Sequence, residues 1–190
     1  MLRRRRNIAR ACIVLIVGST ALAVAQNSAD AYALAGCKLA GYTNTGIYHI
    51  TYRNSMSTNS AAGTAGISGW NYTAAPIWFE ASSSPKVVMT EASYGNTGWL
   101  GHTNRPCSYG VYTPPTTTQF NDTYMNGEPA GHKQEVMVHE LGHALGLNHV
   151  HSTACGSMAI MEGSSTSTYY SCGFSTPRSD DIAGADRIYP

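Results

Sequence analysis

His139 to His149 reads HELGHALGLNH. On a helix, His139 and His143 are four positions apart, so they lie about 40° apart around the axis and their imidazoles point the same way. Two ring nitrogens on one face can hold one metal ion. Glu140 projects into a neighbouring sector, able to reach a ligand on that metal without binding it. Gly146 permits the left-handed conformation that ends helices, and the turn can bring His149 round as a third ligand. Three nitrogens leave the fourth tetrahedral position of a zinc ion open to water, which distinguishes a catalytic from a structural site. Zinc held by neutral imidazoles lowers the pKa of such a water to about 7. Glu140 is then the expected general base for attack on a carbonyl, and afterwards the acid that serves the leaving amine. The chemistry expected is peptide-bond hydrolysis without a covalent intermediate.

The chain has 190 residues, enough for one domain with a core. Arg3 to Arg6 and Arg10 form a basic start, Ala11 to Ala25 is apolar and small, and Ala23-Val24-Ala25 offers a cleavage site. Residues 1–25 read as a signal peptide, with Ala31-Tyr32-Ala33 a later cleavage option; the paired arginines leave Sec and twin-arginine export both open. Removing residues 1–25 takes five of the 12 Lys+Arg and none of the 11 Asp+Glu, so the formal balance moves from +1 to −4. The basic character belongs to export, which argues against a nucleic-acid surface and against membrane attachment after signal removal. The expected product is a secreted monomer.

Cys12 lies in the signal, leaving Cys37, Cys107, Cys155 and Cys172. Four cysteines in an exported chain suggest two disulfides with three connectivities. Cys155–Cys172, which closes a local loop, and Cys37–Cys107, which ties the start to the body, are favoured.

Residues 26–45 are polar and small and read as an irregular lead-in; 46–190 read as the catalytic domain. GIYHITYR (46–53) alternates as a half-buried strand. Residues 57–71 read as a helix with Ala62, Ala65, Ile67 and Trp70 on one side, capped from 57–60. Strands are expected at 76–81, 86–94, 98–103 and 118–125, with loop across 104–118. The active-site helix is expected over 132–145, loops follow His149, and a last helix starts at Thr176-Pro177 and runs to about Tyr189.

The long signature resembles the metzincin zinc pattern HExxHxxGxxH, and its fillers resemble the matrixin branch. SDDIAGADRIY (179–189) is similar to the matrixin end segment, and Tyr48–Arg53, Trp70, Ile77–Glu80 and Gly98–His102 fall in matrixin order. The resemblance implies an α+β, zincin-like fold: a mixed twisted sheet with an active-site helix and a C-terminal helix. It implies a zinc endopeptidase acting on an extended polypeptide, which pairs with an edge strand at Gly98, Trp99, Leu100 and Gly101. It implies a methionine turn beneath the metal, at Met161 or alternatively Met158, braced by Asp180 or Asp181, with Gly146 in support. Departures are the absence of a cysteine-switch motif and of the family's Pro-x-Tyr wall, since Met161 is followed by Glu162, Gly163 and Ser164. His49, His102, His132 and His151 read as non-ligands, His151 being the alternative should His149 be displaced. Scattered Asp and Asn permit Ca²⁺, but no EF-hand-like loop supports it. A catalytically silent zinc-containing binding protein of the same fold is the competing reading; the intact Glu140 weighs against it.

Overall fold

A computed structural model describes residues 32–152, 154–163 and 167–190. The expected signal peptide lies outside them. The chain runs β1 (Ala33–Leu34), β2 (Tyr42–Asn44), β3 (Ile47–Asn54), α1 (Ser60–Asn71), β4 (Ile77–Ala81), β5 (Val87–Ala92), β6 (Gly101–Asn104), β7 (Cys107–Ser108), β8 (Val111–Tyr112), β9 (Thr116–Asn121), α2 (Asp122–Met125), α3 (Ala130–Leu145), β10 (Leu147–Asn148), α4 (Thr168–Cys172) and α5 (Ser179–Ile188).

The main sheet is mixed, as expected. β4, β3, β5 and β9 lie parallel in that spatial order, β6 closes one end antiparallel to β9, and β2 pairs antiparallel with the start of β3. Alternation decides which face is covered. In β4, Ile77 and Phe79 are buried while Trp78 is exposed; in β9, Thr116, Thr118 and Phe120 are buried between half-buried neighbours. One face therefore carries the core and the other is partly solvated. Helices α1 and α3 cover the buried face, and the Trp70 indole N–H donates to Val138 O at 2.9 Å, fixing one helix to the other. Gly66 of α1 lies against the Met137 and Leu141 side chains of α3.

The helix α1 keeps its predicted apolar side at Ala62, Ile67 and Trp70, although Ala65 is only half-buried. Its start differs from expectation. No side chain of residues 57–60 caps it; instead the Glu91 carboxylate on β5 accepts from the backbone N–H groups of Ser57, Thr58 and Asn59. An anion is well placed there, because the first turn of a helix leaves its N–H groups unpaired and is electropositive.

Departures from the expected elements have identifiable reasons. The expected strand 118–125 ends at Asn121, whose side chain accepts from Thr123 N and starts α2. The last helix begins at Ser179, not at Pro177, because the Asp181 carboxylate takes the Arg178 N–H and holds Arg178 extended outside the first turn. Within the expected loops, β7 and β8 pair with each other and α4 forms with Ser167 as its cap. The lead-in is not wholly irregular: β1 pairs with β10 and β2 with β3, so its described part is tied into the domain. Both favoured disulfides are present, Cys37–Cys107 with Cα atoms 6.2 Å apart and Cys155–Cys172 with 5.5 Å. No helix among the described residues is long and apolar enough to cross a membrane.

Candidate metal centre

The helix α3 carries His139 and His143 on one face, and ends at Gly146 with φ 113°. A β-carbon at Gly146 would run into the Cys37 carbonyl, so both conformation and space demand glycine there. The Gly146 N–H returns to His143 O at 3.1 Å, and β10 then leads directly to His149. The three Nε2 atoms converge: His139 to His143 3.2 Å, and His149 to each of the others 3.0 Å.

These short N···N distances are not a hydrogen-bonded triad. His139 Nδ1 lies 2.8 Å from Ile160 O and His143 Nδ1 lies 2.9 Å from Leu147 O. A carbonyl only accepts, so each Nδ1 carries the proton and donates, and each Nε2 presents a lone pair to the centre. Facing lone pairs repel unless a cation lies between them. Tetrahedral zinc with Zn–N of about 2.0–2.1 Å would place its nitrogens about 3.3 Å apart, so the donor set fits such an ion. Burial holds His139 at a pKa of about 4 and His143 at about 3, and also lowers His149, so all three are neutral ligands near pH 7. Among the described residues these three form the one such group of potential ligands.

Glu140 is buried beside them. Desolvation raises its pKa to about 7, against the lowering effect of a hydrogen bond from Thr103 Oγ1, which lies 2.6 Å from its Oε2. The same hydroxyl is 2.9 Å from Glu140 O, so Thr103 grips both the side chain and the backbone of the residue. Gly101 leaves the carboxylate its space.

Beneath the centre, a tight turn closes from Glu162 N to Ala159 O. The Met161 sulfur packs against Gly142 of α3, whereas Met158 lies away from it, its sulfur 3.5 Å from Cys172 Sγ. Of the two candidates, Met161 is thus the one packed against the helix that carries His139 and His143. Of the paired aspartates, Asp181 braces the turn: its Oδ2 accepts from Ile160 N at 2.8 Å and its Oδ1 from Met161 N at 3.1 Å. Asp180 makes neither contact. Because Ile160 O also receives His139, the bracing reaches a ligand through one residue.

The remaining histidines stand apart. His151 pairs with buried Glu162 at 3.3 Å, His49 stacks on Tyr42, His132 bonds Glu128, and His102 is exposed beside Trp99. The expected edge strand is displaced. It spans Gly101–Asn104, and Gly98, Trp99 and Leu100 precede it outside any strand, with bends at Gly98 and Leu100. The reason is Asn121, whose amide Nδ2 donates to Gly95 O and Trp99 O and whose backbone N–H donates to Leu100 O, folding that segment onto the end of β9. Gly98 to Thr103 still line the cleft, which runs past the three histidines and measures about 1220 Å³.

Sequence reading did not reach Thr103, or Arg105, whose guanidinium grips the turn between His143 and His149. Their one legible signal was alternation: 101, 103 and 105 are the less exposed residues of that strand and its continuation, and 102 and 104 the exposed ones.

The sequence matches the matrixin family of peptidases over residues 76–190. Two solved structures of myroilysin match this chain, the first of them by its fold. One has 18% identity and a TM-score of 0.50, covering 79% of this chain and 95% of that one. The other has 16% identity and a TM-score of 0.48, covering 86% and 96%. No protein of curated function matches the chain. With the family pattern spanning more than half of its length, including the three histidines and Glu140, the chain belongs to the matrixin family of metalloproteases.

Proposed function

We propose that the protein is a secreted, zinc-dependent endopeptidase in which Glu140 is the general base. The observation that carries this is the pairing of three convergent imidazole nitrogens with a buried carboxylate on the adjacent helix residue. His139, His143 and His149 would hold the zinc, which when bound supplies Lewis acidity and a water acidic enough to ionise near neutral pH. The other contributions come from the chain itself. Glu140, near neutrality in pKa, takes a proton and passes it to the departing amine. Thr103 fixes its carboxylate through the hydrogen bond from Oγ1 to Oε2. Burial excludes competing water from that carboxylate. Among the described residues, β6 pairs only through its β9 side, leaving its other edge for an extended polypeptide. Export is supported by the two disulfides and the basic-then-apolar start of the chain.

The test is cleavage of unfolded casein and of a mixed peptide library by zinc-loaded protein, with and without chelator. Chelator-sensitive cleavage is expected, and Glu140→Gln should keep zinc while losing nearly all of it. Zinc-loaded protein that cleaves nothing in either assay would leave the silent binding protein as the correct reading. Activity surviving in Glu140→Gln would reassign the base.

A further inference from the structure

The strand β6 and its continuation present a row of residues to α3. Alternate side chains of an extended chain face one side. Gly101 admits the Glu140 side chain, Thr103 holds it, and Arg105 comes next in the row. Arg105 Nη1 lies 2.9 Å from His143 O and 3.0 Å from Leu147 O, and Nη2 donates to Asn148 Oδ1 at 2.7 Å. Tyr112 steadies it, with the hydroxyl 3.1 Å from Nη1 and the ring 5.9 Å from the guanidinium carbon.

What these acceptors share is their place in the chain. His143 is a helix-borne ligand. Leu147 O is the carbonyl that fixes the His143 ring. Asn148 immediately precedes His149. One planar cation thus spans the whole segment that joins the helix-borne ligands to the turn-borne one. We propose that Arg105 is a positioning residue for the metal: its guanidinium fork sets where His149 stands relative to His139 and His143, and so sets metal affinity.

Two other readings predict different results. As a positive charge alone, Arg105 would repel a dication, and its removal would tighten metal binding. As a brace of the fold alone, its loss would lower thermal stability and leave the affinity of the folded protein unchanged. The fork is the part a lysine lacks, since an ammonium is a point donor on a flexible stem and cannot span three acceptors in one plane. The inference rests on the metal-site part of the function proposed above, and the experiment reads metal binding separately from peptide cleavage.

Metal-free protein is titrated with Zn²⁺ against a chromophoric chelator, well below its melting temperature, and with Co²⁺ to record the visible absorption of the metal centre. Arg105→Met is expected to weaken zinc binding roughly 10–100-fold, the range typical of residues that orient a metal ligand, with faster release and an altered Co²⁺ spectrum. Arg105→Lys should recover only part of the loss. Should Arg105→Met not fold, Arg105→Lys and Asn148→Ala carry the test, each with a loss of several-fold. Unchanged or tighter binding in Arg105→Met overturns the proposal, as does full affinity in Arg105→Lys, or a wild type that binds no zinc. A wild type that binds zinc but cleaves no peptide overturns the peptidase reading alone.

Discussion

The Glu140 side chain occupies the space in which any β-carbon at position 101 would stand. A β-carbon built on Gly101 would be 2.6 Å from Glu140 Cγ and 2.8 Å from its Oε1. A strand residue and a helix residue thus share one small volume, and the Glu140 carboxylate is positioned by an absence of side chain as much as by the Thr103 hydroxyl.

Gly101→Ala is therefore expected to push the Glu140 carboxylate out of place while leaving the three histidines untouched. Peptidase activity should fall at least about tenfold, since a displacement of about an ångström at a catalytic group can cost a hundredfold. Zinc content should remain one per chain. Kinetics combined with metal analysis checks this; loss of zinc in the variant would mean that the glycine serves the fold instead.

The paired aspartates should separate in stability. Asp181→Ala strands the buried N–H groups of Ile160 and Met161 and frees that of Arg178. Each unsatisfied buried donor costs about 1–3 kcal/mol, so a loss of at least about 2 kcal/mol in denaturant unfolding is expected. Asp180→Ala leaves those three bonds in place and should cost less than Asp181→Ala. Equal effects of the two would contradict the bracing role of Asp181.

Metal-free protein should carry a pH signature of Glu140. Its folded pKa of about 7 lies above its ordinary value of 4.5. The folded state then binds a proton that the unfolded state has released, so this contribution to stability is full below about pH 4.5 and fades as pH rises through 7. Glu140→Gln removes it. From pH 4.5 to 7 the metal-free variant should gain stability relative to metal-free wild type, by an amount on the order of 3 kcal/mol. The histidines act in the opposite sense and are common to both proteins, because their lowered values make folding less favourable as pH drops below 6.5. A pH-independent difference would show that Glu140 is not shifted.

His149 and His151 offer a direct comparison of neighbours. His149→Ala should reduce bound zinc to well below one per chain, whereas His151→Ala should keep it, since His151 faces Glu162 and is largely solvent-exposed. Equilibrium dialysis decides between them, and zinc lost in His151→Ala but kept in His149→Ala would exchange their roles.

Much of the site was legible because its pattern is local. His139, Glu140, His143 and Gly146 are related by helical periodicity, and His149 by the shortness of the turn, so eleven consecutive residues state the donor set. Strand alternation in β3 and β4 read well for the same reason. The bends at Gly98 and Leu100 did not, because Asn121 imposes them from the end of the neighbouring strand β9. The start of α1 did not, because its cap is Glu91, more than thirty residues away. Helix α4 escaped notice because it is held by Glu135 of α3, which accepts from Thr168 N and Oγ1.

The sequence by itself placed His139, Glu140, His143 and His149 in one constellation and carried the family, since periodicity along a chain fixes which residues share a face. The choice of Met161 over Met158, of Asp181 over Asp180, and the entry of Gly101, Thr103 and Arg105 into the site were decided only by tertiary structure. Each of these depends on contacts across 19 to 43 residues of sequence, where spacing carries no directional information. What brings those residues together is the covering of the sheet by α3, which presses β6 and the methionine turn against opposite sides of the same helix.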